Sequence, residues 1–292
     1  MNNNIPIKQI FSVYEGSALT ALFMSDAIIM SGKYQPAGIY GWISSASGAL
    51  ISSVLIKISA ETVSKHSNNI ISSSLQITLS GIAVFLSLVM FGDFVNSCVL
   101  PDIQPFIIPA GILVAGIYSA SKNFNTLVKS IHIILPVILF FVIAVSALLI
   151  PSARIEYIFT PSNTADISDL LLSSVINTVI FYVKGILIIS LYVHESGCHD
   201  MQHIKNTAIK GILLYGTLIT MIQFLSLAVL GPGLYENLNY PLYYPPGLTF
   251  IGEYFERAEI LTIVIFMASL IIKSGIYMKI IRNSLKKIRL SV

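Results

Sequence analysis

Apolar residues in this chain do not recur at the spacing of a half-buried helix. They run on without interruption, and the polar positions collect between the runs. Eight such runs, at about 10–30, 37–58, 71–92, 105–121, 131–150, 170–193, 208–230 and 259–281, carry almost no charge. Crossing ~30 Å of hydrocarbon takes roughly 20 apolar residues of helix, so each run predicts a transmembrane span. The runs are too long for strands, and the alternation of a membrane barrel is absent. The expected fold is therefore all-α: a single polytopic domain over residues 1–292. No small-residue cleavage site follows the first run, which reads as a retained span and not a signal peptide.

Composition agrees with this reading. Hydrophobic residues make up 55% of the chain and charged residues 11%, with a mean hydropathy of +0.81. Globular domains carry roughly 25% charged residues. A soluble protein of this size could not bury so much apolar side chain, so the excess must face lipid.

The basic residues then set the orientation, because short cytoplasmic loops collect Lys and Arg. With the N-terminus in the cytoplasm and eight alternating spans, twelve of the 17 basic residues fall inside and only Lys33, Arg154 and Arg257 fall outside. Both termini are expected in the cytoplasm. The net charge of +3 is thus an orientation signal and predicts no nucleic-acid partner. Arg282, Lys286, Lys287 and Arg289 would anchor the last span at anionic headgroups. Cys98 and Cys198 lie on opposite faces under this topology, which excludes a disulfide between them. Residues 231–258, with four prolines and five tyrosines, read either as an ordered cap at the outer surface or as a plain connecting loop.

Charge inside a span is the strongest sign of chemistry, since a charged group at mid-bilayer costs about 2.5–3.5 kcal/mol even on insertion scales. Lys184 stands in the middle of the sixth run, Glu15 in the first and Lys273 in the eighth, while Asp26 lies nearer a span end. Glu15 is followed by Gly16 and Ser17; Lys184 is preceded by Phe181 and Tyr182 and followed by Gly185. A charged residue beside a glycine, in two separated spans, predicts interrupted helices that line a mid-membrane cavity. Glu15, Gly16, Ser17, Phe181, Tyr182, Lys184 and Gly185 are accordingly the candidate ligand-binding residues. A zwitterion matches the pair, its ammonium meeting Glu15 and its carboxylate Lys184; a purely structural ion pair is the plainer alternative. His194, Glu195, Cys198, His199, Asp200 and His203 suggest a metal cluster, but the spacing is one residue too long for the HExxH motif and the segment is a predicted loop. No metal, cofactor or catalytic residue is expected, and no enzyme motif is present.

Four stretches carry a family likeness: Ile5-Pro6-Ile7-Lys8-Gln9, Trp42-Ile43, Leu100-Pro101-Asp102-Ile103-Gln104-Pro105 and Tyr254-Phe255-Glu256-Arg257-Ala258-Glu259. Together they resemble the endospore germination permeases, the membrane subunits of spore nutrient-germinant receptors within the amino acid–polyamine–organocation transporter group. The resemblance implies an inverted-repeat fold with discontinuous first and sixth helices around a central site. It also implies a spore inner-membrane or cell-membrane location, an amino-acid-like nutrient ligand and further receptor subunits as partners. Members of the family have ten spans where this chain carries eight, so the second repeat is expected to be incomplete. The alternative function is a secondary amino-acid permease; an inactive structural subunit is a third reading.

Overall fold

The structure is a computed structural model, and it describes residues 35–66, 69–102, 104–159, 166–196, 201–248 and 259–291. All regular structure among the described residues is helical. The helices are α1 (Gly41–His66), α2 (Ile70–Cys98), α3 (Ile107–Ser121), α4 (Phe124–Leu149), α5 (Ile167–Ser196), α6 (Met201–Asn237), α7 (Pro245–Leu248) and α8 (Glu259–Ser291), with short 3-10 turns before α1 and after α4. Among the described residues, four helical segments are long and apolar enough to cross a membrane: Gly38–Thr62, Ile70–Cys98, Ile167–Glu195 and Ile204–Asn237. The predicted first span, 10–30, lies outside the described residues.

The helices sort into two packing groups. In one, α1 lies along α5 and α6; in the other, α8 lies along α2 and α3. The groups touch only lightly where α5 meets α2 and α8, and α4 contacts both α6 and α8. Lipid supplies no hydrophobic drive for helices to associate, so close backbone approach between small residues has to do it. That is what the first group shows. A Cβ on Gly48 would lie 2.7 Å from the Asn177 Cβ and 3.1 Å from the Thr178 amide nitrogen. On Gly216 it would collide with Ala49, and on Gly185 with the side chains of Ile56 and Ile212. The second group uses the same device, with Gly116 seated against Ser274 and Gly275 against Ser119.

One expectation is corrected here. The sixth run is not interrupted: α5 is one continuous helix from Ile167 to Ser196, through Lys184 and Gly185. Gly185 serves helix contact instead, making room for Ile56 and Ile212. The non-helical backbone among the described spans lies elsewhere, at Gly231 of α6 (φ 75, ψ 164), immediately before Pro232. That dihedral pair suits glycine alone, and a side chain there would press on the Tyr157 ring at 3.3 Å.

The tyrosines after that kink pack inward, in an ordered segment and not a plain connecting loop. Tyr235, Tyr240 and Tyr243 are buried. Tyr240 and Tyr243 each meet the Phe94 ring edge-on with centroids 5.2 Å apart. The Tyr240 hydroxyl donates to Asp93 Oδ2 at 2.5 Å. Tyr244 sits beside the Cys98 thiol at 3.6 Å, and loss of hydration pushes its phenol up to about 12. The first half of the Pro- and Tyr-rich segment is thus an ordered plug at one end of the bundle; residues 249–258 lie outside the described residues.

Candidate functional site

At the seam between the two helix groups a cavity of about 250 Å³ opens. One stripe of α2 forms its first wall: Leu79, Ile82, Ala83, Leu86, Ser87 and Met90, spaced three and four apart as residues on one helix face must be. From α5 come Val179, Ile180, Val183 and Lys184, and from α8 come Lys273 and its i+4 neighbour Tyr277. The lining is apolar except for Ser87, the Tyr277 hydroxyl and two lysines. Lys184 is 6% exposed and Lys273 1%. Lys273 Nζ donates to Ser87 Oγ at 2.5 Å, and stands 6.0 Å from the centroid of the Tyr277 ring. Two lysine side chains thus share one apolar recess, where little water would screen an attraction between opposite charges.

Of the seven candidate residues, Glu15, Gly16 and Ser17 lie outside the described residues. The structure places Lys184 on the cavity wall. Phe181, three residues before it, and Gly185, the residue after it, face the contact with α1 and α6. Phe181 is buried edge-on against Tyr215, centroids 5.0 Å apart, and Tyr182 is half-buried. Lys273, singled out from sequence as a charge within a span, shares the cavity with Lys184 although the two stand 89 positions apart in the chain.

A model of the spore germination protein family, Spore_permease, matches residues 37–289. The chain belongs to this family. Spore germination proteins of this kind are non-enzymatic membrane proteins of the permease type, set in the context of a membrane germinant receptor. The matched stretch takes in Trp42, the segment from Leu100 to Pro105 and the segment from Tyr254 to Glu259. A search of curated proteins gives no match.

The germination protein also holds a second polar assembly, which charge-based reading of the sequence passes over because every member is neutral. Gln35 Nε2 donates to Gly41 O at 3.1 Å and to Ser44 Oγ at 2.8 Å. Asn177 Nδ2 of α5 donates to the same Ser44 hydroxyl at 3.0 Å, and Gln223 Nε2 of α6 donates to Gln35 Oε1 at 3.3 Å. The Ala37 amide donates to Ser173 Oγ at 2.8 Å. The network stitches the start of α1 to α5 and α6, and leaves the fully buried Gln223 Oε1 and Ser226 Oγ without a hydrogen-bond partner among the described residues. A sequence signal existed: Ser44-Ser45-Ala46-Ser47-Gly48, Asn177 and Gln223 are the amide and hydroxyl positions of otherwise apolar runs.

The segment His194–His203 has a plainer use. Glu195 Oε1 accepts from Asn283 Nδ2 at 2.6 Å and lies 3.8 Å from Lys279 Nζ, so the carboxylate ties α5 to α8. Cys198, His199 and Asp200 lie outside the described residues.

Proposed function

We propose that this spore germination protein is the nutrient-binding membrane subunit of a germinant receptor, and that its ligand is a small nutrient with a carboxylate, such as an amino acid. The supporting observation is the pair of buried lysines, Lys184 and Lys273, on one apolar cavity at the seam between two helix groups. Burying two like charges together is costly, and a ligand carboxylate offsets that cost. Ser87 and Tyr277 add hydroxyls that orient the carboxylate oxygens, and the aliphatic wall of α2 receives a side chain. Ligand bound between the groups favours the arrangement in which they are drawn together, and the partner subunits read that shift. Glu15, Gly16 and Ser17 belong to this proposal as the residues that would meet the ligand's ammonium. The two-group architecture also suits a secondary amino-acid permease, because helix groups that touch lightly are able to rock about a shared site.

Germination of spores carrying Lys184→Ala, scored across a panel of amino acids with protein abundance checked by blot, tests the reading. A lost or shifted nutrient response at normal abundance is expected. An unchanged response at normal abundance sinks the site. Uptake of a labelled amino acid into proteoliposomes separates the two functions: binding without accumulation supports sensing, and saturable accumulation supports transport.

A further inference from the structure

At the end of the bundle that the charge asymmetry assigns to the cytoplasm, α3 and α8 diverge to leave a groove of about 830 Å³. Its α8 wall is a single stripe of residues: Met278, Ile281, Arg282, Leu285, Lys286, Ile288 and Arg289. The α3 wall is Ile117, Ala120 and Ser121. The other side of α8 is already committed: Asn283 to Glu195, Ser284 to Gln76 Oε1 at 3.0 Å, and Lys279 to Lys122 O at 2.7 Å. On the groove face, Arg282 Nη1 reaches the carbonyls of Ala120 and Ser121 at 3.3 and 3.4 Å. Arg282 thereby ties α8 to the end of α3 on the groove side.

Two features fix the chemistry of the occupant. First, the lining has a direction. The deep end is apolar, with Ile117, Met278 and Ile281, and the positive charge, from Arg282, Lys286 and Arg289, gathers toward the helix terminus. Second, the described lining holds three cations and no carboxylate. A groove that is apolar toward mid-membrane and cationic at headgroup depth is complementary to an amphiphile with one anionic end.

We propose that the α3–α8 groove is a binding site for one anionic phospholipid of the adjoining leaflet. Its phosphate meets Arg282, Lys286 and Arg289, and an acyl chain lies along Ile117, Met278, Ile281 and Leu285. This differs from general attraction of a basic helix end to the membrane surface, because it needs the apolar floor as well as the charge. It is independent of the nutrient site, since none of these residues lines the lysine cavity.

The test is retention of phosphatidylglycerol by the full chain, purified from vesicles of phosphatidylcholine with or without phosphatidylglycerol and weighed by native mass spectrometry. One variant removes charge (R282Q/K286Q/R289Q); another fills the apolar floor and keeps the charge (Ile117→Trp). Helicity and melting in detergent establish that both are folded. One retained phosphatidylglycerol is expected on the unaltered protein. Its binding should be roughly a hundredfold weaker in the triple variant, clearly reduced in Ile117→Trp, and undisturbed by inorganic phosphate. Equal retention by all three proteins overturns the site. Loss in the triple variant with full retention in Ile117→Trp overturns it too, in favour of surface charge alone. Displacement by inorganic phosphate would show an anion site that needs no lipid.

Discussion

The lysine cavity and the carboxamide network are built from the same helix, α5, and differ in what they leave over. Near Asn177, polar groups are neutral and bond one another: Ser44 receives two donors, Gln35 gives two hydrogen bonds and accepts one, and Gly48 lets α1 close against α5. Two turns further along, Lys184 turns toward the other helix group, where α2 and α8 stand back and a recess of about 250 Å³ remains. Neutral amides in a dry interior are matched by other amides and hydroxyls, so they fasten helices. Two lysines on one recess carry an excess of positive charge that a neutral network does not, and an anion is the complement of that excess. The first region therefore reads as a fastening and the second is the proposed site.

Three changes would break or sharpen that contrast. Lys273→Met should have the largest effect. Truncating one partner of a buried charge contact typically costs 2–5 kcal/mol, so the nutrient concentration for half-maximal germination should rise at least about thirtyfold at unchanged abundance. Removing a charge from the membrane interior does not harm insertion, so a fall in abundance together with response would instead make Lys273 structural. Next is Gly48→Val. The added side chain runs into Asn177 and Thr178, and overpacking of this kind costs about 1–3 kcal/mol. A lower melting temperature in detergent is expected, with nutrient response falling only in step with folded protein. A shifted nutrient preference at normal stability would mean that this region also contacts the ligand. The smallest effect belongs to Gln223→Leu. It deletes one 3.3 Å hydrogen bond to Gln35 but also removes a buried acceptor that has no partner among the described residues. Interhelical hydrogen bonds in membranes average about 0.6 kcal/mol, so the melting temperature should move little in either direction. A large loss of stability, or of nutrient response alone, would show that Gln223 Oε1 meets a ligand group.

How much was legible follows from which residues tolerate which surroundings. Long uncharged runs admit one reading because hydrocarbon offers the backbone no hydrogen bonds and leaves helix as the local solution. α1, α2, α5 and α6 each fall on such a run. Lys184 and Lys273 stood out by the same logic, since an ammonium within an apolar run demands a reason. Glycine was the weaker guide. Beside Lys184 it suggested a break, but glycine serves equally for an irregular backbone and for a tight helix crossing, and only the positions of Ile56 and Ile212 distinguish them. The tyrosines at 235–244 fit an ordered cap or a plain loop by sequence, and the contacts with Asp93 and Phe94 opposite them decide for order.

By itself, then, the sequence determined that the chain is helical and membrane-embedded, that it carries the germination-protein pattern, and that two lysines lie where lysines are costly. Each of these depends on the composition of a stretch of chain against its solvent, which is a local property. Only the tertiary structure decided that Lys184 and Lys273 share one recess with Ser87 and Tyr277, while Phe181 and Gly185 turn away from it. It also decided that Gln35, Ser44, Asn177 and Gln223 close on one another, and that three cations gather over an apolar floor between α3 and α8. Those facts depend on the rotation of each helix about its axis and on its neighbour, and both are set by how small residues on different helices meet.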